Sequence, residues 1–160
     1  MNSTELILLK SDIITNMING VSCVNEINEY FIKANIEDDE YVKLEMVFNL
    51  FYGIFKDSSL ERIDEGYKEY ICNTLGEVFS EELATLTSEF LITYFNVIED
   101  KEILLEEKCE ALSNIDIELL PNNNHMKKIY YSSLLNILLA KSPFEKDKIS
   151  EVSAKLKLCL

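Results

Sequence analysis

Tryptophan is absent from these 160 residues, and histidine, arginine, proline and glycine are scarce: one His, one Arg, two Pro and four Gly. Each scarcity excludes something. With Arg62 alone there is no cluster of guanidinium forks to grip phosphate or carboxylate in bidentate fashion. With His125 alone, a zinc site would need cysteines or carboxylates to converge on it. The four cysteines, Cys23, Cys72, Cys109 and Cys159, are widely spaced, and no pair has metal-ligand spacing. The glycines are isolated from one another, so no phosphate loop, dinucleotide fingerprint or nucleophile elbow can be assembled. So few Gly and Pro also argue against many short strands joined by turns, and for long regular elements. No apolar run reaches the ~18 residues a membrane span requires. The longest, Ile129 to Ala140, is broken by Ser132, Ser133 and Asn136.

What the chain does have is acid. There are 29 Asp and Glu against 15 Lys and Arg, a formal net charge of −14. The imbalance is uneven. Residues 1–120 hold 26 acids and 8 bases, whereas residues 121–160 hold 3 acids and 7 bases. A surface this negative repels a phosphate backbone, so direct nucleic-acid binding is not expected. It attracts basic proteins and speeds encounter with them. With 48 % hydrophobic and 28 % charged residues, the composition is that of a globular protein, and the length suits a single domain. The expected organisation is one acidic helical domain, 1–160, with a basic C-terminal helical segment, 121–160, folded back on the acidic part.

Apolar residues recurring every three to four positions mark eight helical segments. They are placed at about 4–19, 23–35, 39–56, 59–78, 81–98, 100–114, 124–141 and from Ser142 to about 158. Asn2 with Glu5 and Ser58 with Glu61 have the spacing of reciprocal caps. Gly20 fits a left-handed stop. Ser142-Pro143-Phe144-Glu145 places Ser at a cap, Pro in the first turn and Glu at the third position. Between Ile115 and Leu120 the apolar residues alternate with acids, which suggests a short extended stretch. The third and seventh segments are apolar on nearly every side, and the fifth carries a broad stripe, so these three are expected inside. The fold class is all-α: a globular bundle of seven to eight helices with apolar central helices, or alternatively a short α-solenoid of helix pairs. No repeat of solenoid period is visible, which favours the bundle. In the adjacent aromatic pairs Tyr30-Phe31, Phe51-Tyr52 and Tyr130-Tyr131, one ring of each should sit at the rim, because neighbours on a helix point about 100° apart.

No catalytic residue, metal ligand or cofactor is assigned. The chain has no Glu-x-x-His pair for a di-iron bundle, and Arg62 stands where an EF-hand starting at Asp57 needs Gly. The abundant carboxylates read as solvated helix faces. His125 reads as a surface or capping histidine. Without a secretory signal, the cysteines are expected to be reduced and mostly buried, in a cytoplasm of a bacterial cell or a virus-infected host. The functional expectation is a protein–protein interaction or inhibitor protein, of immunity, antitoxin-like or anti-defence type, that uses an acidic helical surface to block a basic partner. The residues expected to carry binding are Glu61, Asp64, Glu65, Glu69, Glu106 and Glu107. Alternatives are a viral Bcl-2-like helix-in-groove binder, a helical enzyme with a dispersed site, and a homo-oligomeric subunit. No membrane association is expected.

Overall fold

In the computed structural model, residues 3–57, 63–119 and 124–160 are described, and among them every regular element is helical. In order these are α1 (Ser3–Asn19), α2 (Val24–Lys33), α3 (Glu40–Asp57), α4 (Glu65–Val78), α5 (Glu81–Thr93), α6 (Leu105–Ser113), α7 (Asn124–Ala140) and α8 (Lys146–Leu158). A π-helical turn, Tyr94–Ile98, continues α5, and a 3-10 turn, Ile117–Leu119, precedes α7. No described helix is long and apolar enough to cross a membrane.

The apolar patterning decides which helices lie inside. On α5, Leu83, Ala84, Leu86, Phe90 and Leu91 are all buried, along with Thr87 and Ser88, so little of this helix beyond Glu81, Glu82, Thr85 and Glu89 meets solvent. On α3, Leu44, Val47, Phe48, Phe51 and Phe55 form the buried stripe. On α7 the buried residues are Met126, Tyr130, Tyr131, Ile137 and Leu138. Aromatic rings join these three helices. Phe48 of α3 stacks on Phe90 of α5 with ring centroids 5.8 Å apart, and Phe90 meets Tyr130 of α7 edge-on at 5.9 Å. Offset stacks and T-shaped pairs each add about 0.5–1.5 kcal/mol beyond the burial of area. α3 packs on both α5 and α7. A solenoid, whose units touch only their neighbours in sequence, would lack such a contact. The molecule is a helical bundle.

Local chemistry sets the helix ends, in places differently from expectation. Gly20 has φ +67°, the left-handed stop read from the sequence. α4 begins later than 59: Asp64 is its N-cap, in extended conformation, and its carboxylate accepts a hydrogen bond from the Tyr67 amide at 2.8 Å. The caps expected at Asn2 and at Ser58 with Glu61 fall outside the described residues. Residues 115–119 form no strand. Ile115 and Ile117 are both buried, and the tight turn between them, not a period of two, produces the alternation. α8 starts at Lys146, because the Glu145 carboxylate is occupied by Lys141 at 3.1 Å rather than turned back to the Ser142 amide. The Ser142–Pro143 peptide is cis. Gly66 does not admit a neighbouring helix: a Cβ there would meet only the Asp64 carboxylate, at 3.6 Å.

The π turn has an evident purpose. An extra residue in the turn shifts the register of the residues after it, and Asn96 ends up buried. Its amide group accepts from the Ile63 N–H at 2.8 Å and donates to the Ile63 C=O at 2.9 Å. Both polar groups of a buried backbone position are thereby satisfied by one side chain, which ties the approach to α4 onto the end of α5. Replacing Asn96 by Leu should therefore cost roughly 2–4 kcal/mol, the penalty for two buried backbone groups left without partners. Urea unfolding of the variant measures it, with Glu89→Gln as the exposed control expected to change stability by less than about 0.5 kcal/mol.

Candidate functional site: an acid-rimmed cleft between α6 and α8

α6 and α8 each pack chiefly on α7. The space left between them is a cleft with two lobes. The inner lobe, about 200 Å³, is floored by Tyr130, Tyr131, Leu134 and Leu138 of α7 and walled by Cys109, Ile117 and Val152. The outer lobe, about 560 Å³, is lined by Glu106, Glu107 and Glu110 of α6 and by Lys141, Glu145 and Lys148 opposite. Cys109, Ser113 and Lys148 line both lobes, so the two adjoin.

Two adjacent tyrosines hold the floor to the wall. Tyr130 puts its ring in the core and its hydroxyl on the Leu112 carbonyl, 2.7 Å away, at the last turn of α6. That carbonyl lies in the last turn of the helix, where the regular donors run out, and it also accepts from the Ile115 N–H at 3.0 Å. Burial, with Cys109 and then Asp116 nearby, pushes the Tyr130 hydroxyl up to about 12, so it is a permanent donor. Tyr131 donates to the Glu118 carboxylate instead. Both rings are buried, so the expectation of one rim ring fails for this pair. It holds for the others, where Tyr30 and Tyr52 are half-buried beside buried Phe31 and Phe51.

Lysines of the C-terminal segment close over the acids of the preceding part. Glu118 lies 3.5 Å from Lys127 and 3.9 Å from Lys155, whose ammonium also sits over the Tyr131 ring at 5.8 Å. The Tyr131 hydrogen bond, with the two lysines, holds the Glu118 carboxyl below the usual carboxylate range against a smaller opposing effect of burial. Lys141 bridges Glu106 of α6, 3.0 Å away, and Glu145 ahead of α8, at 3.1 Å. Hydrogen bonds to Glu106 and Glu145 raise the Lys141 ammonium above its ordinary value. The expected fold-back of the basic segment is thus built from named ion pairs.

Even so, the cleft stays acidic. Seven carboxylates and three lysines line it. Glu107, Glu110 and Asp116 make no ion pair among the described residues, and all three are exposed. Of the binding residues expected from sequence, the structure brings Glu106 and Glu107 into this cleft. Asp64 is spent on capping α4, Glu65 pairs with Lys68 at 2.8 Å, and Glu69 is exposed on α4 away from the cleft lining. Glu61 lies outside the described residues. The sequence alone does not single out Glu110, Lys141, Tyr131 or Glu118 as binding residues. Glu110 follows Glu106 at i+4, and that spacing is the available signal.

Elsewhere the candidate chemistry stays dispersed. His125 is exposed and lines no part of the cleft. Among the described residues no carboxylate is fully buried, and no three His, Cys, Asp or Glu side chains converge to hold a metal ion. All four cysteines are free thiols; Cys23 and Cys109 are buried, Cys72 is exposed. No family model, no curated protein and no solved structure matches the chain.

The Glu118 cluster has a pH signature. A carboxyl whose folded pKa is depressed stabilises the fold above its unfolded value, about 4.3 for Glu, and that contribution is lost as pH falls through the lower folded value. Glu118→Gln should therefore lower stability by about 1 kcal/mol or less at neutral pH, given a partly exposed acid. The difference from wild type should shrink as pH falls below about 4.3 and vanish once the folded carboxyl is protonated. Urea titrations at neutral pH and at a series of pH values below about 4.3 test both statements.

Proposed function

We propose that this chain is a protein-binding module of the inhibitor kind, and that the α6–α8 cleft is where it captures a basic, amphipathic helical segment of its partner. The observation that carries this reading is the pairing of an apolar floor with an acidic rim in one cleft. Leu134, Leu138 and Val152 supply an apolar surface for a partner side chain, and Glu107 and Glu110, one α-helical turn apart in the adjoining lobe, make no ion pair among the described residues. Helix-in-groove recognition uses this division: apolar anchors give affinity, while the charged rim selects the partner and its orientation.

The net charge supports the same partner chemistry from a distance. A body of −14 draws a cationic protein in and turns an acidic one away. The acidic-surface and helix-in-groove expectations thus meet in one site. A partner whose own basic helix serves a substrate or nucleic acid would be blocked by its capture, which is the sense in which the module inhibits.

The test uses a synthetic helical peptide with Leu at i, i+4 and i+7 and Lys on the flanking positions. Wild-type protein should bind it with a dissociation constant in the micromolar range or tighter, weakening at least ten-fold between ~50 and ~300 mM salt as screening rises. Glu107→Lys with Glu110→Lys should weaken it by a further factor of ten or more, whereas Glu65→Lys with Glu69→Lys on α4 should change it by less than about three-fold. Equal loss from both pairs would mean that diffuse charge, not the cleft, binds the peptide. Binding unaffected by the α6 pair would reject the site.

A further inference from the structure

α8 turns different charges to its two sides. Toward the cleft it presents Lys148, Glu151, Val152 and Lys155. On its outer side, with the end of α7 and the connection between the two helices, it forms a groove of about 460 Å³. Leu139 of α7, Phe144 of the connection and Ile149 and Ala154 of α8 supply the apolar lining. Phe144 is 61 % exposed and Leu139 50 %. Two large side chains this open in one groove leave apolar area for a partner to cover. The polar part of the lining sets the groove apart. It holds Lys146 and Lys157 and no carboxylate, on a chain with 29 acids and 15 bases. Both lysines are exposed, and neither makes an ion pair among the described residues. They stand at i and i+11, so they share one line along α8, about three turns and roughly 16 Å apart. Ser150 and Ser153 lie close to that line between them. The acids of α8, Asp147 and Glu151, are turned about 100° and about 140° away from Lys146, and Glu151 is already held by Lys155 at 3.6 Å.

Cation, apolar centre, cation is the order of features along the groove. Its complement is an acidic amphipathic helix laid along α8, with carboxylates at i and i+11 and apolar side chains at i+4 and i+7, the positions between them on the same face. A basic segment would set its charge against Lys146 and Lys157. A second copy placed symmetrically would set these lysines against their own equivalents. A flat anionic bilayer would also meet the −14 body, which it repels. The same net charge turns a wholly acidic protein away, so the docking segment is an acidic stretch of a partner that is cationic overall.

We propose that the outer groove of α7 and α8 docks an acidic amphipathic helical segment, with Lys146 and Lys157 pairing its carboxylates and Leu139, Phe144 and Ile149 covering its apolar side chains. Groove and cleft lie on different faces of α8 and select opposite charges, so the failure of one leaves the other standing.

The probe is a synthetic helical peptide with Glu at i and i+11, Leu at i+4 and i+7 and uncharged residues elsewhere, titrated while amide chemical shifts are followed. A dissociation constant of roughly 10–500 µM is expected, as for a small transient contact. The shifts should fall on Leu139, Phe144 and the outer side of α8 from Lys146 to Lys157. Lys146→Glu with Lys157→Glu should weaken binding about ten-fold or more, and Phe144→Ser about three-fold or more. Glu107→Gln with Glu110→Gln in the cleft should change it by less than about three-fold. The lysine variant should keep the wild-type circular dichroism and thermal midpoint, since both side chains are exposed, and Lys146→Gln with Lys157→Gln should give a smaller loss in the same direction. The peptide with Lys in place of Glu should leave the groove resonances in place. No shift in the groove up to ~2 mM peptide overturns the proposal. So does a titration that survives the Lys146→Glu, Lys157→Glu change, or equal shifts from the Lys peptide. Groove shifts that grow with protein concentration alone would put a second copy there, and co-sedimentation with phosphatidylserine vesicles, lost in the same lysine variant, would put a lipid surface there; either overturns the acidic segment as the occupant.

Discussion

The cleft depends on Tyr130. Its ring is the last member of the aromatic series that runs from Phe48 through Phe90, and its hydroxyl ends on the Leu112 carbonyl of α6. One side chain therefore fixes α7 in the core and sets α6 against it. α8, which also packs on α7, is set by Val152, which is buried, and by Lys155 reaching back to Glu118. With α6 and α8 both referred to α7, the gap between them is a defined cleft and not a loose seam. Tyr131, one residue on, lines that cleft and holds Glu118 in place.

A chain with about twice as many acids as bases faces a second constraint: its helices must pack without pooling negative charge. The solution visible here is to spend the few lysines of the C-terminal segment at the junctions. Lys141 joins α6 to the start of α8, and Lys127 and Lys155 converge on Glu118. Individually such partly exposed pairs contribute little to stability, typically under about 1 kcal/mol. Their larger effect is selective. They neutralise Glu106, Glu118 and Glu145 and leave Glu107, Glu110 and Asp116 as the charge the cleft presents. The specificity proposed for the site arises from which acids are left over.

The architecture is legible in the sequence because apolar periodicity reports burial directly. The third, fifth and seventh segments, interior by their patterns, are α3, α5 and α7, and the rings that link them are already visible as spaced aromatics. The helix ends are less legible, since each is decided by competition for a side chain. Glu145 looks like a capping residue until Lys141 is seen to hold it, and Asp64 looks like one more acid on a helix face until the Tyr67 amide is found beside it. Ile115 and Ile117 mimic a strand because the tight turn that joins them, just ahead of the 3-10 turn, also buries both. The cleft is legible only in part. Glu106 and Glu107 can be picked out as acids on a helix, but what distinguishes them from Glu65 and Glu69 is the apolar floor contributed by α7, and that proximity exists only once the chain has folded.

A basic helix received between α6 and α8, over the α7 floor, must perturb those three helices before any other part of the molecule. Amide chemical-shift mapping with an added Lys-rich amphipathic peptide tests this most directly. The largest changes should fall on α6 from Glu106 to Ser113, on α7 from Tyr131 to Leu138 and on α8 from Lys148 to Lys155, with α4 and the outer face of α1 little affected. Changes centred on α4 around Glu65 and Glu69, or spread evenly over the acidic surface, would contradict capture in the cleft.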